Sequence, residues 1–400
     1  MGQSSTNWRA VLVLYGCGVG TSMQLGKVPA ALPVMMEDLG LSLVVAGWLI
    51  SLLNLTAMIC GMVVGSWSDH FGHLRALRMG LFCLSAGSLA TAGLSEPALL
   101  LTARFFEGVG FLLVVTTTPP LMLAHSSVHD RRRVMGLWGA YMPLGMSLIM
   151  VACPGILKAY GWRVLWLGDG ILLLVLLTCT WLLPTKEVSK QLDLEPLHQR
   201  IQILFKLGEP LVLAVIFCMY AGVFLAVFGF LPMLISEEMG YDATTAVMLS
   251  ALAIAVNILG NLAAGQLLQR GYSAVLLMTV AALGITIFGL GMYSSALPGM
   301  VRYLAALLLS TLGGLIPATL FAQISESVPH PGLLGTGNGL LVQGSNIGQV
   351  LGPPALAWLV AGTGSWESGR WMILVCMGVC MGALWLLLRM RSGASLQESA

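Results

Sequence analysis

The charged residues of this chain are confined to gaps. Only 36 of its 400 residues (17 Asp and Glu, 19 Lys and Arg) are charged, and nearly all lie in short segments between about twelve long apolar runs. Hydrocarbon offers a peptide group no hydrogen-bond partner, so a segment crossing it must close its own backbone bonds as a helix of roughly 20 residues. The pattern therefore predicts an all-α membrane protein with twelve transmembrane helices. A content of 57% hydrophobic residues, with mean hydropathy +0.89, sets its surface against lipid.

The runs fall near residues 9–33, 43–66, 76–94, 98–124, 134–157 and 163–184, then 210–235, 243–268, 273–293, 300–325, 334–361 and 370–388. The longest polar stretch separates the two sets. The expected domains are an N-terminal six-helix bundle (1–184), a cytoplasmic linker (185–209), and a C-terminal six-helix bundle with a short tail (210–400). Leu194, Leu197 and Ile201 in the linker have helical spacing, as a helix lying on the membrane surface would.

Lys and Arg set the orientation. Arg9, Arg75, Arg78, Arg131, Arg132, Arg133, Lys186, Lys190, Arg200, Lys206, Arg270, Arg389 and Arg391 fall on one side, against Lys158, Arg163, Arg302 and Arg370 on the other. Thirteen bases against four predict cytoplasmic termini in a bacterial inner membrane. The first run exceeds 20 residues, carries Lys27 and lacks a small-residue cleavage site, so it reads as helix one and not as a signal peptide. All eight Cys lie inside runs without metal-ligand spacing, which points to small core residues and to no metal or cofactor.

After the second run stands Gly65-Ser66-Trp67-Ser68-Asp69-His70-Phe71-Gly72, followed by Arg75 and Arg78. This resembles the loop motif of the major facilitator superfamily, with Asp four residues after Gly, a second Gly three further on, and then basic residues. His70 and His73 stand where the family usually has Arg or Lys. Arg104-Phe105-Phe106-Glu107-Gly108-Val109-Gly110 resembles the family's fourth-helix pattern, and Gly136 to Gly145 partly resembles its Gly-Pro fifth helix. In the second half Gly265, Gln269, Arg270 and Gly271 echo the loop motif without its Asp, and Gly344, Gly348, Gly352 and Pro353 resemble a Gly-Pro helix. Gly26-Lys27-Val28-Pro29, the Arg104 to Gly110 run and Tyr141-Met142-Pro143 look most like the bacterial branch of cyanate and nitroimidazole transporters. The resemblance implies two pseudo-repeat halves of six helices with a substrate site at their interface. It also implies a cytoplasmic gate at Gly65, Asp69, Gly72 and Arg75.

Charges inside the runs stand apart from this pattern. Lys27, Arg104, Glu107 and Asp169 each need a partner or a wet cavity, because burying one in a bilayer costs about 2.5–3.5 kcal/mol. Lys27 is six residues from the end of its run, and Arg104 and Asp169 are six from the start of theirs, so at ~1.5 Å per residue they share one layer. Glu107 lies one turn from Arg104, and Asp169, on a helix usually peripheral in the family, is the weakest member. Lys27 continues a stripe of Gly16, Gly20 and Gln24 and has no evident partner, which favours a cavity.

The second half offers amides, including Asn257, Asn261, Gln323, Gln343, Asn346 and Gln349. Amides both donate and accept, so they can read a polar ligand without fixing its charge. The candidate substrate-binding residues are Lys27, Gln24, Arg104, Asn257, Gln343 and Asn346. Glu107 is the candidate proton carrier, since all six His fall in loops; the alternative is that these charges only brace the helices.

The expected function is secondary transport of a small polar or anionic organic solute, coupled to a proton or another ion, by a monomer in the lipid bilayer. A drug or metabolite efflux antiporter of the same fold is the alternative. A membrane enzyme would need a His-Glu-x-x-His, Gly-x-Ser-x-Gly or phosphate-binding signature, and a receptor a sizeable soluble domain; the sequence has neither, and nothing in it suggests a nucleic-acid partner.

Overall fold

In the computed structural model, residues 5–127, 129–130, 134, 137–183, 196–329 and 333–398 are described, and they form helices joined by short turns. The chain divides into two compact units. Unit 1 comprises Met1–Gln191, Phe228–Ser236 and Tyr241–Ala255, and unit 2 comprises Leu192–Val227, Glu237–Gly240 and Val256–Ala400.

In unit 1, α1 (Trp8–Leu39) starts where the Asn7 side chain accepts from the Ala10 N–H and stops at Gly40, whose φ of +62° reverses the chain. Helix α2 (Leu43–Ser51), capped by Ser42, runs through a single 3₁₀ turn at Leu52–Asn54 into α3 (Leu55–Phe71). Helices α4 (His73–Thr91) and α5 (Pro97–Ala124) follow. Helix α6 (Tyr141–Cys179) holds two of the expected runs, joined at Gly161, where φ +77° and ψ 175° break the helical path.

The remaining helices are α7 (Leu197–Leu207), α8 (Glu209–Met239), α9 (Ala243–Ala255), α10 (Asn257–Gln269), α11 (Ala274–Met292), α12 (Gly299–Gly313), α13 (Leu315–Ser327), α14 (Leu334–Thr363) and α15 (Gly369–Glu398). Among the described residues, eight helical segments are long and apolar enough on their own to cross a membrane. Helix α7 includes Leu197 and Ile201 of the expected linker helix, with Leu204 buried and Phe205 exposed; Leu194 lies outside the described residues.

Helices meet in lipid by close backbone approach at small residues. A Cβ added to Gly80 of α4 would stand 2.8 Å from the Gly110 carbonyl of α5, and one added to Gly110 would stand 2.5 Å from the Gly80 carbonyl. In unit 2, Gly344, Gly348 and Gly352 of α14 lie against the Ala214, Cys218 and Gly222 carbonyls of α8, at 2.5, 2.0 and 2.3 Å from the corresponding Cβ positions. The Gly-rich faces of the two family-like patterns are thus helix-crossing surfaces.

The motif expected as a loop is mostly helical. Gly65 and Asp69 lie in the last turns of α3, and the break falls on Gly72 alone, with φ +98°; Arg75 is exposed on α4. The side chains of residues 65–70 lie outside the described residues, as do Arg131, Arg132, Arg133, His330 and the linker residues 184–195 with Lys186 and Lys190. All eight Cys are free thiols. Arg302, expected at the boundary of the run 300–325, is buried at the start of α12, where its Nε donates to the Met292 carbonyl at 2.9 Å.

Candidate functional site

Unit 1 gathers the four in-span charges into one buried cluster. Lys27, Arg104, Glu107 and Asp169 are respectively 0, 1, 0 and 4% exposed, which leaves their charges to be balanced by one another. The Lys27 Nζ donates to Ser88 Oγ at 2.7 Å and to Asp169 Oδ2 at 2.9 Å, lies 3.9 Å from Glu107 Oε1, and sits 4.8 Å from the centre of the Trp166 ring. Arg104 Nη1 donates to Glu107 Oε2 at 2.5 Å, while its Nε and Nη2 donate to the carbonyls of Leu49 and Gln24 at 3.2 and 3.1 Å. Arg104 thereby ties α5 to α2 and α1 using donors that a lysine does not possess.

The sequence dictates how these groups meet. Helix α4 carries serines three residues apart, and Ser85 and Ser88 donate to the carbonyls of Gly170 and Trp166, one turn apart on α6, at 2.7 and 2.9 Å. Gly170 permits the approach, since a Cβ there would lie 2.7 Å from Leu89 Cγ. This crossing turns Asp169 inward. On the other side of α4, Gly87 makes room for the Glu107 stem, its Cβ position lying 2.5 Å from Glu107 Cγ.

Two expectations are corrected here. Lys27 is not unpartnered; its carboxylate and hydroxyl partners come from α6 and α4. Asp169, expected to be the weakest member of the layer, is its closest counter-ion. The Gly16 and Gly20 stripe packs against Leu176 of α6, and Gly26 against the Met146 carbonyl, so those glycines serve helix contact. The serine pair with Gly170 was the sequence signal that would have brought Asp169 in.

Several buried polar atoms beside these charges have no hydrogen-bond partner: Glu107 Oε1, Asp169 Oδ1, Trp166 Nε1, and both side-chain amide atoms of Gln24. An unpaired polar group in such a place costs about 1–3 kcal/mol.

The amides of unit 2 form a separate set. Asn257 Nδ2 donates to Tyr220 Oη at 3.2 Å and to the Ser310 carbonyl at 2.9 Å, and Asn261 donates to Asn257 Oδ1 at 2.9 Å. Asn346 donates to the Val342 carbonyl of its own helix at 2.7 Å, and Gln349 to Ser345 Oγ at 2.9 Å. Gln343 is half-buried on α14 and also has an interaction partner.

A profile of the Major Facilitator Superfamily matches residues 12–342, and the chain belongs to that superfamily of transporters, which are not enzymes. It is 25% identical to the gallate transporter of Pseudomonas putida over 177 residues, 44% of this chain and 39% of that one. It is 24% identical to the puromycin resistance protein pur8 of Streptomyces alboniger over 197 residues, 48% of this chain and 39% of that one. The matches span between 23% and 42% of the length of the curated relatives. Among solved structures, a D-xylose–proton symporter superposes with TM-score 0.75 at 19% identity, covering 95% of this chain and 97% of that one. A bacterial homologue of the lysosomal transporter Spinster, in an inward-facing, occupied conformation, superposes with TM-score 0.76 at 13% identity over 98% of both chains. At these identities the likeness is one of fold. The chain is a multi-pass membrane protein of that superfamily.

Proposed function

We propose that this transporter moves a small polar or anionic organic solute by alternating access, coupled to protons, as a monomer of two six-helix halves in a bacterial inner membrane with both termini cytoplasmic. Gly65, Asp69, Gly72 and Arg75 act as its cytoplasmic gate. Gln24, Lys27 and Arg104 bind the solute in unit 1, and Asn257, Gln343 and Asn346 bind it in unit 2. Glu107 carries the proton.

The observation that carries this reading is the buried cluster with its unsatisfied acceptors. Glu107 keeps one oxygen on Arg104 and holds the other 3.9 Å from Lys27 without a hydrogen bond, so a proton can be added there while the Arg104 contact persists. A carboxyl that gains or loses a proton as its neighbours change is what coupling requires. The gallate transporter among the relatives supports an anionic cargo. The puromycin resistance protein and the multidrug resistance protein 2 of Bacillus subtilis support the alternative, an efflux antiporter of the same fold.

Reconstituted protein under an imposed proton gradient tests the proton role. Uptake of radiolabelled gallate or benzoate, or efflux of puromycin, should respond to the gradient in the wild type, and Glu107→Gln should abolish the response. A gradient response that survives Glu107→Gln removes the proton from Glu107.

A further inference from the structure

Asp169 has no part in the proposed transport cycle, yet it is the nearest counter-charge to Lys27. Their contact of 2.9 Å is shorter by 1.0 Å than that of Lys27 with Glu107. The Ser88 hydroxyl gives its single hydrogen to the Trp166 carbonyl, so its oxygen accepts from Lys27 Nζ, which Asp169 faces from the other helix.

The charged and titratable groups around Glu107 can be taken helix by helix. Lys27 comes from α1, Arg104 from α5 itself, and Asp169 from α6, with the Cys153 thiol of α6 beside Asp169 and Lys27. Helix α4 presents Gly87 and Ser88, and α2 the Leu49 carbonyl. With both acids ionised the described cluster carries two positive and two negative charges and sums to zero.

We propose that Asp169 sets this balance and thereby makes the solute site select a monovalent anion only together with a proton. The inference rests on the proposed transport role of Glu107. A proton from solution adds to Glu107 Oε1, the oxygen without a donor. Arg104 Nη1 then keeps only a neutral oxygen of Glu107, the third N–H of Lys27 faces no carboxylate, and the cluster carries one net positive charge. A carboxylate solute restores neutrality by accepting from the second N–H of Arg104 Nη1, from Lys27 Nζ and from the unpartnered Gln24 Nε2. Each binding step favours the other, as linkage demands. The cargo enters as one proton with one monovalent anion and no net charge. If Asp169 did not hold Lys27, the cluster would be cationic before any proton arrived, and an anion would bind without one.

The charge arithmetic supplies the test. Benzoate and its uncharged counterpart benzamide are titrated into the purified full chain in detergent across a pH series, with proton uptake followed by a dye in weak buffer. The wild type should bind benzoate more tightly as pH falls, by up to about tenfold per pH unit, with close to one proton taken up per benzoate, and should show no such trend with benzamide. Asp169→Asn should bind benzoate at alkaline pH at least about tenfold more tightly than the wild type, with the pH trend flattened. The double variant Lys27→Met/Asp169→Asn leaves Arg104 with Glu107 and is neutral again; it should bind benzoate more weakly at every pH, since one donor is gone, but recover the slope of the pH trend, and it also serves where Asp169→Asn alone does not fold.

A wild type that prefers benzamide to benzoate at every pH overturns the inference. So does an Asp169→Asn curve parallel to the wild type, which is what loss of a mere brace would give. The two levels separate cleanly. If Glu107→Gln abolishes the gradient response in liposomes while the Asp169→Asn curve stays parallel, only the role of Asp169 fails. If Glu107→Gln leaves that response intact, the proton role itself fails.

Discussion

Lys27→Met tests whether the cluster is a single electrostatic unit. The substitution keeps an unbranched apolar stem and deletes one charge, leaving Asp169 and Glu107 with Arg104 as their only described cation. At an effective dielectric of ~20, the Coulomb attraction is about 6 kcal/mol across the 2.9 Å to Asp169 and about 4 kcal/mol across the 3.9 Å to Glu107, before desolvation is subtracted. Removing one partner of a buried pair costs about 3–5 kcal/mol net, because the remaining charge is stranded, and that is the loss expected here. Asp169→Asn in the same chain removes the stranded charge, so the double variant should return to within about 1–2 kcal/mol of the wild type. Lys27→Met/Glu107→Gln should recover less, since it leaves Asp169 with no close donor. The assay is reversible unfolding in mixed micelles followed by tryptophan fluorescence, with Trp166 4.8 Å from Lys27 as a local reporter. Additive losses in Lys27→Met/Asp169→Asn would refute the coupling on which the charge balance depends.

Three further outcomes follow from the same geometry. Gly87→Ala puts a methyl 2.5 Å from Glu107 Cγ and should cost about 1–3 kcal/mol of unfolding free energy while shifting the pH response of transport; an unchanged pH response would place Glu107 elsewhere. Gly348→Ala meets the Cys218 carbonyl 2.0 Å away, backbone that cannot swing aside, and should lower the unfolding temperature, whereas Gly139→Ala, with nothing within 4 Å, should not. Asp38, beyond the expected end of the first span, is held below the usual carboxyl range by hydrogen bonds from Trp162 and Arg163. Its ionised form is therefore stabilised by folding, a contribution present above about pH 4 and lost as pH falls through the lowered value; Asp38→Asn should remove that part of the acid-side slope in a pH series of melting temperatures.

The fold was legible because lipid leaves a chain few options: apolar runs of the right length are helices, and the charged gaps mark their ends. The layer of four charges was legible by the same logic, from distances along helices of known rise. What the sequence concealed was facing. A count along α6 gives the depth of Asp169 and says nothing of its azimuth, which is set by the Ser85 and Ser88 bonds to α6 carbonyls and by the room left at Gly170. The motif residues tell the converse story. Gly26, Gly108 and Gly110 carry family resemblance, yet their Cβ positions lie 2.5–2.6 Å from the carbonyls of Met146, Leu53 and Gly80. They record how closely helices approach, which any substrate of this fold requires equally, and so they bear on architecture more than on cargo.

The clearest internal repeat lies where the sequence reading did not look. Glu37-Asp38-Leu39-Gly40-Leu41-Ser42 and Glu237-Glu238-Met239-Gly240-Tyr241-Asp242 are in register, and each ends a helix on a glycine of positive φ, +62° and +74°, before a side chain that caps the next one. In unit 1 the Trp162 indole donates to Asp38 at 2.9 Å, directly after the bend at Gly161; in unit 2 the Trp366 indole donates to Glu237 at 2.7 Å, two residues after Gly364, another glycine of positive φ. Ser95 receives Arg163 in the first unit, and Ser295 donates its N–H to Glu367 in the second. In both places an indole beside a glycine of positive φ, Trp162 at the bend of α6 and Trp366 ahead of α15, is tied to a carboxylate at the end of a long helix, α1 or α8. The in-span charges show no such repeat, since Lys27, Arg104, Glu107 and Asp169 all belong to unit 1. The fasteners thus recur in both units, while among the described residues the four-charge cluster belongs to unit 1 alone.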